Sequence, residues 1–281
     1  MLTLDGLKAP QGKGAIGRAV SFIRPYLVGV AGSAYLFSVG WIKLKNRAAI
    51  VELCHHFGYY HESREPREIP AVSMEDIAPA DSMIDIRAID AVDGNVSERE
   101  LLAICRLVKR DQPERLFEFG TFDGRTTLNM AVNAAPGAMV FTLDLPGSAV
   151  GASASPIHPH EVQYANKPVS GERYRGTDAA TRIVAIEGDS GTFDFSPYYG
   201  SMDFIFIDAS HTFAYLVNDS LHALKMIGPE GGTIIWHDYG RWDGVTSALN
   251  ELRKKHQSFA SLAYLEATTL AVLRVPARRE P

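Results

Sequence analysis

From residue 97 onward, apolar and polar positions alternate in a regular way. Ser97-Glu98-Arg99-Glu100 has the form of a capping box, and Leu101, Leu102, Cys105 and Val108 follow at helical spacing. That pattern predicts a helix beginning after Ser97. Short apolar runs then trade places with helical ones. Arg115–Phe119, Met139–Leu143, Arg182–Glu187, Met202–Ile207 and Gly232–His237 read as strands. Arg125–Ala135, Phe213–Ile227 and Val245–His256 read as helices, the second ended by Gly228-Pro229. Apolar strands separated by helices predict βαβ units and a parallel sheet buried on both faces, an α/β fold. Two closing strands, Ser261–Leu265 and Thr269–Val275, are only a short turn apart. They have no room for a crossover, so they must form an antiparallel hairpin.

The first part of the chain reads differently. Residues 1–60 are mainly helical in pattern, and residues 61–96, with Pro66, Pro70 and Pro79, read as a connector that wraps the core. The chain is therefore expected to divide into a helical extension with its connector, residues 1–96, and an α/β domain, residues 97–281. The stretch Pro25–Ile42 carries no charge and lies between Arg24 and the basic residues Lys43, Lys45 and Arg47. Its 18 residues reach the lower limit for a membrane span. Three glycines and two serines dilute it, and basic residues at both ends blur any orientation. No cleavage site follows, so a secretory signal fits badly. A buried or oligomer-forming helix is the first expectation, ahead of an interfacial helix or a span through residues 25–42.

Composition narrows the classes. Of 281 residues, 46% are hydrophobic, enough for a sizeable core. The net charge is −5, with +6 in residues 1–50 and −11 in the rest. An acidic body argues against general nucleic-acid binding. The basic head suits a solvated helix face, ahead of an anionic membrane or an acidic partner. The two cysteines, Cys54 and Cys105, have neither disulfide-framework nor metal-ligand spacing. They read as small core residues in a reducing, cytoplasmic protein.

The chemistry gathers at strand ends. The first strand runs into Glu118-Phe119-Gly120-Thr121-Phe122-Asp123-Gly124-Arg125-Thr126-Thr127. Gly120 and Gly124 bracket a tight turn where backbone can approach a ligand, and a helix N-terminus lies behind it. This is neither GxGxxG nor a P-loop, and Glu118 suits a cationic amino group better than a pyrophosphate. Asp144 ends the second strand, where an acidic side chain accepts from ribose hydroxyls. Read alone, the glycines make a turn and Asp144 caps it. Together these residues point to a nucleoside-containing cofactor.

The runs EFGTFDGRTT, TLDLP, GDS, FIFIDASH and GGTIIWHDY, spread over residues 93–275, resemble the class I S-adenosylmethionine-dependent methyltransferases. Among these, the sequence looks like the O-methyltransferase group that includes the macrolide-sugar (macrocin and mycinamicin) enzymes. The resemblance implies a Rossmann-like sheet of seven mostly parallel strands with an antiparallel last strand, preceded here by the helical extension. It implies that Glu118, Gly120 and Gly124 cradle the methionine part, that Asp144 holds the ribose, and that Asp189 and Ser190 flank the adenine. Thr121, Phe122, Asp123, Thr126, Leu145 and Asp208 complete the expected cofactor set. From the residues alone, Gly188-Asp189-Ser190 also reads as a plain turn.

Two carboxylates and two imidazoles, Asp208, His211, His237 and Asp238, lie at the ends of the fourth and fifth strands, which open at the same sheet edge. Such donors suit Mg²⁺ or Mn²⁺, with imidazole pulling towards softer divalent ions. The resemblance implies Asp208 and Asp238 as metal ligands and His211 as general base, with His237 at a position usually acidic. A neutral imidazole there weakens Mg²⁺ binding and points to another ion or to none. On the residues alone, Asp208 can cap a helix and His237 can be a core histidine. The long insertion 146–181 reads as a lid or substrate element, with His158 and His160 as a weaker metal pair and Tyr174, Tyr239 and Trp242 as substrate walls. The expected activity is O-methylation of a small hydroxylated molecule such as a sugar or polyketide, by a homo-oligomer. Methylation of nitrogen or of a phenol, and a non-catalytic nucleoside-binding or assembly role, are the alternatives.

Overall fold

In the computed structural model, which describes residues 15–43, 46–47, 49–50, 53, 63–78, 83–155, 157, 161–167 and 169–278, the chain forms two units, Met1–Tyr60 and His61–Pro281. Cys54, Pro79, His158 and His160 lie outside the described residues. The first unit carries helix α1, Ala15–Ser38, with Pro25 inside it. Its described side chains include a series of exposed apolar residues, among them Phe22, Ile23, Leu27, Val28 and Phe37. An apolar face of this kind marks a contact surface. Among the described residues, no helix is long and apolar enough to cross a membrane.

The second unit is an α/β sheet domain. In chain order its elements are β1 (Ala71–Val72), α2 (Met74–Ile77), α3 (Glu98–Asp111), β2 (Arg115–Phe119), α4 (Arg125–Asn133), β3 (Met139–Asp144), α5 (Val162–Ala165), β4 (Ile183–Glu187), β5 (Phe204–Ile207), α6 (Phe213–Met226), β6 (Gly232–Trp236), α7 (Asp243–Lys255), β7 (Ala263–Leu265) and β8 (Ala271–Val275). The strand order is β1-β7-β8-β6-β5-β2-β3-β4. Only β8 runs antiparallel, to β6 on one side and β7 on the other. The hairpin expected at the C-terminal end is therefore present. The sheet has eight strands, not seven, because the connector adds β1, which pairs parallel with β7. Two residues are too few to show any alternation, so the sequence pattern could not reveal this strand.

The connector belongs with the sheet unit, whereas the sequence pattern set it apart with residues 1–60. Helix α4 holds it through one polar face. Asn129 accepts from Arg87 N and donates to Arg87 O, and Asn133 does the same with Asp85. Residues four apart on a helix advance about 6 Å, close to the span of two extended residues, so the two amides match the strand-like backbone. Arg125, one turn earlier and fully buried, donates to the carbonyls of Ala88, Ile89 and Val96.

Side chains alternate across the buried sheet. Phe117, Phe119, Ile205, Ile207 and Trp236 face α6 and α7, while Leu116, Phe204, Phe206 and Ile235 face α3 and α4. Each large apolar side chain buried this way contributes about 1.5–3 kcal/mol. The sheet order reverses at β2, which sits between β3 and β5. The chain winds out to β4 on one side and returns to β5 on the other, so a crevice opens beyond the carboxyl ends of β2 and β5.

Candidate active site

The loop after β2 and the end of β5 touch. Gly120 has φ +91°, and a Cβ on it would stand 2.1 Å from the carbonyl oxygen of Asp208. Only glycine allows both the turn and the approach. Gly124, also at positive φ (+83°), starts α4 with no side-chain cap, and a Cβ there would strike Tyr174.

Beneath this loop lies Glu118, with 1% of its surface exposed. Its Oε2 accepts from Thr127 and from Thr142 Oγ1, the latter at 2.6 Å. Its Oε1 is buried without a hydrogen-bond partner. Burial pushes the carboxyl up to about 8, and the charges of Asp208 and Asp144 act in the same direction. An unpartnered buried carboxylate oxygen next to a glycine loop is complementary to a cationic ligand group.

Asp144, at the end of β3, is engaged by the insertion: Ser170 Oγ donates at 2.5 Å and Lys167 Nζ lies at 2.7 Å. Asp123 braces the loop, accepting from Asn95 and from Arg125 N, and pairing with Arg173 Nε at 2.6 Å. Phe122 takes a left-handed backbone, φ +48°, and its ring meets Tyr164 edge-on. Thr121 is buried against the Thr142 hydroxyl. Thr126 and Leu145 are partly exposed. Asp189 accepts from Ala154 N, Gly191 N and Tyr215 OH, and Ser190 donates to Asp219. Glu118, Gly120 and Gly124 thus gather at one loop, while Asp123, Asp189 and Ser190 are held by protein partners.

The second cluster sits where β5 and β6 end. His211 Nδ1 lies 2.7 Å from Glu161 Oε1, which also accepts from the His211 backbone N–H. His211 Nε2 lies 2.7 Å from Asp238 Oδ2 and forms an ion pair with it. The Trp242 ring stacks on the imidazole, 4.8 Å between centroids. Burial opposes charge on His211, but Asp238 and Glu161 outweigh it and raise its pKa to about 10.

His237 is held from both sides. Its Nδ1 lies 3.1 Å from Asp208 and 3.3 Å from Asp238, and its Nε2 lies 3.3 Å from Glu100. Against the cost of burial, those three carboxylates raise its pKa well above the ordinary value. Burial opposes ionisation of Asp238, yet the two imidazoles keep its carboxyl well below the ordinary range. Asp238 itself has a left-handed backbone, φ +67°, with its N–H donated to Thr269.

Ligand atoms of Asp208, His211 and Asp238 all lie within 4.8 Å of one another. The two carboxylates are hard oxygen donors that fit a divalent ion, with the His211 ring beside them. His237, expected as a ligand, is engaged by Glu100, Asp208 and Asp238, and it is His211 that stands grouped with the two aspartates.

Two expected substrate walls are core residues. Tyr239 is fully buried, accepts from Ile69 N and donates to Asn250, and Tyr174 is buried against the glycine loop. Trp242 does border the cluster. Sequence reading missed Glu161 and Ser170, which lie in an insertion without periodicity, and it placed Lys167 in that lid or substrate element without its partner Asp144. It read Glu100 only as part of a capping box, which does form, though the same carboxylate also reaches His237 and Thr269.

A family model described as a methyltransferase domain matches residues 117–239. A search of curated proteins returned no match. Among solved structures, the chain is similar to the O-methyltransferase TomG from Streptomyces achromogenes, involved in tomaymycin synthesis and in complex with SAM, at 15% identity over 73% of this chain and 100% of that one, TM-score 0.48. It is similar to an O-methyltransferase from Bacillus cereus in complex with SAH at 17% identity over 65% and 83%, TM-score 0.43. A third, the SAH-bound methyltransferase PaMTH1 of Podospora anserina, matches at 16% identity over 66% and 81%, TM-score 0.47. Residue roles do not rest on likeness this distant, and nothing in these matches bears on the macrolide-sugar group. Residues 117–239 thus match a methyltransferase domain.

Proposed function

We propose that this protein transfers the methyl group of S-adenosylmethionine to a hydroxyl of a small molecule, a sugar or polyketide-like acceptor. The observation that carries the reading is the unpartnered Oε1 of buried Glu118, next to the Gly120 loop, with Gly120 seated on the backbone of Asp208. A site for a cationic amino group therefore adjoins the acid–imidazole cluster.

Glu118 would hold the amino group of the cofactor, the loop from Gly120 to Gly124 its methionine part, and Asp144 its ribose in place of Ser170 and Lys167. When bound, S-adenosylmethionine supplies an electrophilic methyl on a sulfonium. An alcohol is a poor nucleophile until its proton is taken, and His211 is the group suited to take it. The proton passes from the acceptor oxygen to Nε2, while Nδ1–H stays on Glu161. While Asp238 stays paired with His211, its carboxylate favours the charged ring, the form that cannot act as a base. Asp208 and Asp238 would hold a divalent ion beside His211, and its charge would weaken the grip of His211 on its proton. His237, paired to Glu100, holds the two aspartates side by side.

The test is transfer of labelled methyl from S-adenosylmethionine to a panel of sugars, polyols and phenols. Label in a hydroxyl ether, lowered roughly 10²–10⁴-fold in His211→Ala, supports the reading. Label only on nitrogen acceptors contradicts it.

A further inference from the structure

The insertion between β3 and β4 bears on both halves of the site. Lys167 and Ser170 reach Asp144, Arg173 reaches Asp123, and Glu161 reaches His211. Backbone bonds reinforce the seating, since Gly171 N donates to Phe122 O and Arg173 N donates to Asp123 O. The loop residues Phe122 and Asp123 thus fix the segment that carries Glu161.

We propose that Glu161 is the positioning residue for His211, delivered to the base by the insertion. The inference rests on the reading of His211 as the base. One carboxylate oxygen, Oε1, takes both the backbone N–H and the Nδ1–H of the same histidine, each at 2.7 Å. That double hold fixes the ring against its own main chain and selects the tautomer that keeps the proton on Nδ1. Nε2 is left as the nitrogen that exchanges a proton with an acceptor. Ser210 Oγ donates to Oε2 at 3.3 Å and holds the second carboxylate oxygen. Only 7% of the Glu161 side-chain surface is exposed, so water competes poorly for the bond. Trp242, stacked on the ring with an interplanar angle of 18°, blocks its rotation from the other side. During turnover one proton moves from the acceptor hydroxyl to Nε2, and Glu161 remains ionised throughout.

The full-length chain, labelled with ¹⁵N at its nine histidines, gives a readout that needs no acceptor. The His211 imidazole signals are assigned by their loss in His211→Ala. The proposal expects a slowly exchanging Nδ1 proton on His211. In Glu161→Ala that proton exchanges with water and its signal is lost, while S-adenosylmethionine binding is retained. Glu161→Gln, whose amide oxygen still accepts, restores the signal in part. An unchanged Nδ1 signal in Glu161→Ala overturns the proposal, as does loss of cofactor binding and thermal stability together. Turnover with the best acceptor of the panel separates the two readings. Glu161→Ala should lower kcat roughly 10–100-fold, and adding it to His211→Ala should cost nothing more. A wild-type rate in His211→Ala removes the base reading itself, whereas an inactive His211→Ala beside a wild-type Glu161→Ala removes Glu161 alone.

Discussion

Gly120 sits so close to Asp208 that a single added carbon would lie 2.1 Å from the Asp208 carbonyl oxygen. The contact joins the cofactor loop to the strand end that bears the acid–imidazole cluster. Gly120→Ala must both adopt a positive φ and push the loop away from β5. It should destabilise the fold by roughly 2–4 kcal/mol. Cofactor affinity should fall as well, measured by calorimetry on the fraction that remains folded. Unchanged stability and affinity would mean that the loop has more room than the structure gives it.

Glu118 makes stability depend on pH. Its carboxyl is raised from 4.5 to about 8 by burial, so the folded state holds a proton that the unfolded chain releases near 4.5. A raised carboxyl lowers stability as pH rises from about 4.5 to about 8, and the penalty is complete above that. Glu118→Gln removes the charge. Its Tm should exceed that of wild type at pH 8 to 9, by an amount worth several kcal/mol, and the difference should vanish below about pH 4.5. Saturating S-adenosylmethionine should reverse the order, because only the carboxylate rewards a cationic amino group. Thermal melts across pH, with and without the cofactor, check both halves.

Strand positions and the closing hairpin were legible in the sequence because a sheet buried on both faces needs continuous apolar runs. Ser97 and Glu100 announced their helix through local spacing. The partners of His211 and Asp144 were not legible. Glu161, Lys167 and Ser170 act across 50, 23 and 26 residues of chain, in a segment with no period to fix its face. Tyr239 misled for the opposite reason: an aromatic residue beside an active strand end looks like a wall until its hydroxyl is seen bonded to Asn250 and Ile69 in the core.

Lys167 competes for the carboxylate that a ribose would use. The pair is well sheltered, with 12% of each side chain exposed. Lys167→Ala should tighten S-adenosylmethionine binding by up to about 5-fold, since an ion pair of about 1 kcal/mol is given up. Calorimetry on the two proteins checks it, and weaker binding in the variant would instead make Lys167 part of the cofactor site.

A divalent ion at Asp208 and Asp238, beside His211, should stabilise the folded chain by mass action. Mn²⁺ is expected to raise Tm by a few degrees in the wild type and to leave Asp208→Ala and Asp238→Ala unmoved. Methyl transfer should fall on chelation. Full activity after exhaustive chelation, with no Mn²⁺ shift in Tm, takes the ion out of the account.

Calorimetric titration of the purified chain with S-adenosylmethionine, beside Asp144→Ala and with NAD as the comparison ligand, tests the cofactor site itself. The account predicts one site per chain for S-adenosylmethionine, no heat from NAD, and binding weakened by about 1–3 kcal/mol in Asp144→Ala, the cost of leaving a ribose hydroxyl without its acceptor. Tight NAD binding with no S-adenosylmethionine binding would contradict it.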